Sequence, residues 1–239
     1  MAPKVILCAG LKSSGSTWLY NVVVQLLRAK MRRGITAFYA DNLAMFPGGT
    51  EEARILVVKT HEPSEALVYL MRLTRGCMFL SIREPRDAIA SLMQRFGHAF
   101  DGALRETARH SVRIAALARE EDAITYRYER RFHERSQTIG EIATALGIRM
   151  NKAARDRIFR SLTRDAVIKK IGNLGKKGTF GATPNADSFD PATHWHPGHI
   201  GDGRIGKHTT VLSKNQQAEV LAKTLTYRKQ FGYLPRRKR

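Results

Sequence analysis

The segment Lys4–Leu27, KVILCAGLKSSGSTWLYNVVVQLL, limits the fold more than any other part of the chain. Val5 to Gly10 are small or apolar, Gly10 to Gly15 form a tight polar turn, and an apolar-rich run begins at Thr17. That order predicts a buried strand, a loop and a helix. A helix entered in this way aims its unpartnered first-turn N–H groups at one point, where phosphate or sulfate is the favoured guest.

The 239 residues suffice for a full core in one domain. Residues 1–235 read as a single α/β domain, followed by a basic tail at 236–239. No apolar run approaches the roughly 18 residues a membrane span requires. The apolar stretch after Lys4 stops at a Gly/Ser turn, unlike a signal peptide, so a cytoplasmic location is expected. Cys8 and Cys77 fall in two strand candidates and read as small buried hydrophobes rather than a disulfide framework. Charge is the unusual property: 41 Lys+Arg against 21 Asp+Glu leaves a net +20. Such a balance suits polyanionic partners, whether a nucleotide, a nucleic acid, a sulfated or phosphorylated substrate, or an anionic membrane surface. It does not choose among them.

Further strands are expected at Arg54–Lys59, Cys77–Ile82 and Ala123–Tyr128. Helices are expected at Thr17–Lys30, Glu65–Arg72, from Pro85 to near Arg95, Ala103–Glu120, Ser136–Leu146, Asn151–Lys170 and Leu212–Phe231, the last capped at Ser213 or its neighbour. Gly34–Glu52 reads as loop-rich. Gly172–Gly206, crowded with Gly, Pro, His, Asp and Asn, is too long for an idle connection and is expected to be a lid or a disordered segment. Strand-to-helix alternation predicts a three-layer α/β/α architecture. Its central, mostly parallel sheet carries a phosphate-binding loop after the first strand and sites at the carboxyl ends of strands.

Three strand ends carry chemistry. Gly10–Thr17 follows the nucleotide-binding pattern G-x-x-x-x-G-K-[ST] except at the lysine, where Ser16 stands. A phosphate-loop kinase or hydrolase needs that cation at the β/γ-phosphates, which counts against this alternative. Lys12 remains to neutralise charge from the front of the loop, and Trp18 either stacks on a nucleobase or packs in the core. The second strand end is Lys59, Thr60, His61. His61 titrates near neutrality and suits proton removal from a hydroxyl or amine; Lys59, on the same side of an extended chain, can steady developing negative charge. The third is Arg83, with Ser91 in the following helix. A guanidinium fork and a hydroxyl beside a helix N-terminus suit a phosphate.

These segments resemble those of the sulfotransferases that use 3′-phosphoadenosine-5′-phosphosulfate (PAPS). Ser14, Gly15, Ser16, Thr17 and Trp18 resemble the family's 5′-phosphosulfate loop, P-[KR]-S-G-[ST]-T-W. Lys59 to Pro63 resembles its K-T-H-x-P segment, and Arg83, Pro85, Arg86, Asp87 and Ser91 match its 3′-phosphate motif, R-x-P-[KR]-D-x-x-x-S. Arg127, Tyr128 and Glu129 echo a strand end near the adenine, and Gly203 to Lys207 echoes the glycine-rich loop that closes over the cofactor.

The resemblance implies that Lys12 or the N–H groups of the loop Ser13, Ser14, Gly15 and Ser16 hold the 5′-phosphosulfate, with Thr17 on its phosphate. It implies Trp18 and Tyr128 near the adenine, Arg83 and Ser91 on the 3′-phosphate, and Arg204, Gly206 and Lys207 in the closing loop. His61 is then the general base, with Lys59 and Lys12 stabilising the transferring sulfuryl group. The product is adenosine 3′,5′-bisphosphate (PAP), and no metal is expected.

Two departures stand out. The family's loop cation directly precedes its Ser-Gly, where this chain has Ser13. Lys12 lies one place earlier, so either the loop shifts or Lys59 and Lys207 take over. Near the C-terminus, Gly201 and Asp202 precede Gly203 and His208 follows Lys207, which leaves Arg204 and Lys207 as substitutes in the 3′-phosphate clamp. The acceptor is expected to be a small molecule, a saccharide or a lipid-linked group, in a pocket built from Gly34–Glu52, the helix after Phe96 and Gly172–His199. His194, Trp195, His196 and His199 line it, pair with an anionic acceptor, or lie in disordered chain. Without a carboxylate or cysteine set the three histidines are not read as a metal site. Stable nucleic-acid binding is not expected either, because zinc-finger spacing, an aromatic RNA-binding motif and a continuous basic recognition helix are missing. The surplus charge leaves peripheral contact with an anionic surface open.

Overall fold

The computed structural model describes residues 3–31, 33–180 and 189–234; the basic tail Arg236–Arg239 and residues 181–188 of the expected lid lie outside them. The opening segment folds as its pattern requires. Strand β1 (Lys4–Gly10) is buried from Val5 onward, and helix α1 (Ser16–Lys30) buries Leu19, Val22, Val23, Leu26 and Leu27. Arg28 and Lys30 sit in its last turn, where the helix dipole favours cations. The chain continues through β2 (Ile35–Tyr39), β3 (Ile55–Thr60), α2 (Glu65–Leu73), β4 (Cys77–Ile82), α3 (Pro85–Phe96), α4 (Phe100–Leu117) and β5 (Ala123–Arg127). It closes with α5 (Ser136–Ala145), α6 (Lys152–Ser161), α7 (Arg164–Lys176), α8 (His208–Val211), α9 (Lys214–Lys223) and α10 (Leu225–Phe231).

The strands form one parallel sheet in the order β2-β3-β1-β4-β5. Alternation along β1 divides the core: Ile6 and Cys8 face a cluster with Val23, Leu26 and Ile142, whereas Val5, Leu7 and Ala9 face one with Leu67, Ile114 and Tyr227. Both sheet faces are therefore covered by helices, which is why these strands read as unbroken apolar runs. Among the described residues, no helix is long and apolar enough to cross a membrane.

The expected three-layer α/β/α arrangement is the observed one, and the departures are local. Gly34–Glu52 is not all loop, since β2 lies within it. This short edge strand fully buries only Phe38, so it lacks the apolar run that marks the inner strands. Asn151–Lys170 is two helices, not one. The chain breaks at Leu162, which is buried, and Thr163, and α7 then runs on to Lys176, inside the expected lid. Leu212–Phe231 is likewise interrupted: Ser213 starts α9 with a capping box to Gln216, and Thr224 separates α9 from α10.

Candidate functional site

At the carboxyl ends of β1, β3 and β4 the chain encloses a cavity of about 1110 Å³. Ligand clefts run to roughly 300–1,000 Å³, so this one lies just beyond the upper end of that range. Lys12, Ser13, Gly15, Ser16, Thr17, Trp18, Lys59, His61, Arg83, Ser91, Tyr128, Arg204 and Lys207 all line it. Residues spread over nearly 200 positions of sequence thus meet around one space.

The loop after β1 is tightly made. Gly10 packs so closely on β4 that a Cβ would lie 2.1 Å from Ser81 Oγ. Gly15 has φ 91° and lies against Phe132, and Ser13 adopts φ 64° despite its side chain. A left-handed serine costs on the order of 1–3 kcal/mol and is sustained only where the surroundings over-determine it. Ser14, expected to offer its N–H to the donor, does not line the cavity. Its Oγ is buried 2.6 Å from both the Leu11 carbonyl and Ser81 Oγ, and its backbone N–H donates to Leu11. It anchors the loop from beneath. The first turn of α1, Ser16 to Trp18, faces the cavity with the N–H groups that a helix leaves without intrahelical partners.

Lys12 does not point into the loop. Its Nζ pairs with Glu106 Oε1 on α4 at 2.6 Å, and its side chain keeps 38% exposure. Lys59 is the buried cation instead. Burial and the charge of Lys12 push its pKa down to about 8. Its Nζ lies 3.2 Å from His61 Nε2. His61 Nδ1 is 2.7 Å from the Gly10 carbonyl, which can only accept, so Nδ1 carries the proton and Nε2 accepts from the Lys59 ammonium. Burial and the neighbouring Lys59 charge hold the His61 pKa well below its ordinary value, so the ring is neutral at neutral pH.

Asp41, just after β2, fixes this strand end. Its Oδ1 accepts from Thr60 Oγ1 at 2.6 Å and from the backbone N–H groups of His61 and Glu62 at 3.0 and 3.1 Å; its Oδ2 accepts from Tyr39 at 2.6 Å. Burial works against the charge, but these bonds outweigh it and hold the carboxyl at about 2.

At the end of β4, Arg83 is 2% exposed. It donates to the carbonyls of Ser13 at 2.9 Å and Arg204 at 3.0 Å, and its guanidinium carbon lies 4.1 Å from the centre of the Tyr128 ring. Tyr128 is thereby a platform for Arg83, and its ring also stacks on His133 at 4.6 Å. Ser91 is buried on α3 beside Arg95. Trp18 donates from Nε1 to the Leu162 carbonyl while lining the cavity.

The glycine-rich segment is held by the same β4–α3 connection. Asp87 on α3 accepts from the backbone N–H groups of Gly206 at 2.6 Å and His208 at 3.0 Å, and its Oδ1 lies 2.6 Å from His208 Nδ1. Gly206 therefore faces Asp87, and the cavity wall of this loop is made by Gly203, Arg204 and Lys207. Lys207 is buried and pairs with Asp202 at 2.7 Å, while Arg204 donates to Thr210. The histidine-bearing segment is ordered within the described residues. Asn21 of α1 donates to the Thr193 carbonyl, and His194, Trp195, His196 and His199 line the cavity with Tyr39, Phe96 and Phe189.

Sequence reasoning missed Asp41 and Arg95. Asp41 lay in an apparent loop and works through groups 19 to 21 residues away. Arg95 marked only the approximate end of an expected helix.

No protein-family model matches this sequence, and no curated protein matches it significantly. Solved structures do. A mouse sulfotransferase, SULT7A1, complexed with PAP superposes with a TM-score of 0.64 at 15% identity, over 97% of this chain and 88% of that one. Retinol dehydratase in complex with androsterone and inactive cofactor PAP gives a TM-score of 0.65 at 15% identity, over 96% and 82% of the two chains. The same enzyme in a complex with retinol and PAP gives 0.63 at 16% identity, over 96% and 82%. The chain has the sulfotransferase fold.

Proposed function

We propose that the protein transfers a sulfuryl group from PAPS to a hydroxyl or amine acceptor. The observation that carries this reading is the meeting of the Ser13–Trp18 turn, the Lys59–His61 strand end, the Arg83–Ser91 pair and the Gly203–Lys207 loop around one cavity. Three solved structures of the same fold contain PAP, the product such a donor leaves. The residues present fit a doubly anionic nucleotide. Arg83 Nε is buried without a hydrogen-bond partner among the described residues, and the first turn of α1 offers N–H groups to the same cavity.

When bound, the donor supplies an activated sulfuryl group. Arg83 and Ser91 hold its 3′-phosphate; the N–H groups of Gly15 to Trp18 hold its 5′ end, with Trp18 beside the adenine. His61 Nε2 takes the acceptor's proton, with Nδ1–H kept on the Gly10 carbonyl so that the ring stays in the right tautomer. Lys59 turns from His61 Nε2 toward the charge that develops at the reacting group, a role expected to outweigh that of Lys12, which Glu106 holds aside. Tyr39, His194, His196 and His199 surround the acceptor's end of the cavity.

Incubation with radiolabelled PAPS and a panel of phenols, alcohols, saccharides and amines tests the reading. Acceptor-dependent formation of PAP and a labelled product is expected, lost in His61→Ala while PAP binding persists. Binding of ATP with Mg²⁺ in preference to PAP would return the chain to the phosphate-loop kinases.

A further inference from the structure

The last turn of helix α3 carries Arg95, where a cation is commonplace. Its setting is not. The side chain turns into the cavity, with NH1 3.4 Å from both Ser13 Oγ and Ser91 Oγ. Nε donates to the Gly198 carbonyl at 2.9 Å, and NH2 donates to that of His199. The stem crosses Gly201 so closely that a Cβ there would come within 2.8 Å of Arg95 Cδ. One guanidinium therefore touches the phosphate loop, the serine of the Arg83–Ser91 pair and the strap that carries the histidines.

All four of these partners are neutral oxygens. Asp202, the carboxylate on this side, is taken by Lys207 at 2.7 Å. Burial and the like charge of Arg83 push the Arg95 pKa down to about 10, as expected of a cation short of counter-charge. Arg83 on the Ser13 carbonyl and Arg95 on the Ser13 hydroxyl bring two guanidiniums to one residue, and an anion relieves their repulsion. A planar fork can give its outer N–H groups to a phosphate while Nε keeps its carbonyl.

We infer that Arg95 is a second arginine reading the donor's 3′-phosphate, joining Arg83 and Ser91 on that group while its Nε holds the Gly198 carbonyl. This rests on the PAPS reading above. The 3′-phosphate is thereby distinguished from a free ribose hydroxyl by two arginines, while Nε keeps Arg95 on the Gly198 carbonyl.

Titration calorimetry on the full chain with PAP and with adenosine 5′-monophosphate tests the inference, using wild type, Arg95→Gln and Arg95→Lys. A residue that only braces the strap would weaken both nucleotides alike. A residue on the 3′-phosphate changes their ratio. The wild type is expected to prefer PAP, and Arg95→Gln to cut that preference roughly ten- to a hundredfold, the worth of a charged hydrogen bond. Arg95→Lys, which keeps a point charge without the fork, should fall between, and it decides the matter alone if Arg95→Gln does not fold. A wild-type ratio in the variants, or equal loss of both affinities, would overturn the role of Arg95. A wild type that does not distinguish the two nucleotides would overturn the donor assignment, and this inference with it.

Discussion

The Lys59 ammonium lies 3.2 Å from His61 Nε2, so the proposed base and its nearest cation share one contact. That contact occupies the lone pair a base needs and keeps His61 a weak one. An anion that draws Lys59 away would free Nε2 and raise the basicity of His61, coupling donor binding to activation of the acceptor.

The pH dependence follows from Lys59. Its pKa of about 8 means that it loses charge as pH rises through that value. Accordingly kcat/KM should decline above about pH 8, and Lys59→Arg, always charged, should remove this alkaline limb. Lys59→Ala should lower kcat by about 10²–10³-fold. An unchanged limb in Lys59→Arg would assign it to another group.

Asp41 should matter as much for activity as for stability. Removing it leaves Thr60, Tyr39 and two backbone N–H groups without their acceptor. Asp41→Ala is expected to cost about 1–3 kcal/mol in denaturant unfolding. It should also lower kcat more than donor affinity, because the loosened turn carries Lys59 and His61. Loss of stability with wild-type kcat would confine Asp41 to the scaffold.

Asp87 acts at the other end. Its carboxylate holds Gly206 and His208, and so the placement of Arg204 beside Arg83. Asp87→Asn turns one acceptor into a donor. The donor KM should rise by about tenfold, an effect of about 1.4 kcal/mol, while kcat at saturation changes less. A larger effect on kcat than on KM would contradict a positioning role.

How much of this could be read from the chain depended on locality. The turns after β1, β3 and β4 are each local strings, and Lys59, His61, Arg83 and Ser91 meet around one cavity as their order suggested. What failed to show was partnership across distance. Ser14 reads as a phosphate-loop serine, yet it is turned inward by Ser81, 67 residues away. Lys12 reads as the loop cation, yet Glu106 on a separate helix claims it. Asp87 and Gly206 are 119 residues apart, and no spacing rule joins them. Strand β2 was hidden for a different reason, since an edge strand with one fully buried residue leaves little apolar pattern.

Acid should unfold the protein early. Burial holds His61 and His199 well below the ordinary histidine value, His133 at about 4 and His194 at about 3. Between about pH 6.5 and those lowered values the unfolded chain binds more protons than the folded one, so stability falls as pH falls through this window. Denaturant midpoints at pH 7, 6, 5 and 4 should drop step by step. Replacing the half-buried His133 by Gln should flatten the profile without abolishing it, and an unchanged slope would show that this histidine does not contribute.

A crystal structure with adenosine 3′,5′-bisphosphate is the measurement that bears hardest on the proposed grip. The 3′-phosphate should rest on Arg83 and Ser91, and the 5′-phosphate on the N–H groups between Gly15 and Trp18. A nucleotide that fails to bind, or that binds clear of Arg83 and of the first turn of α1, would contradict it.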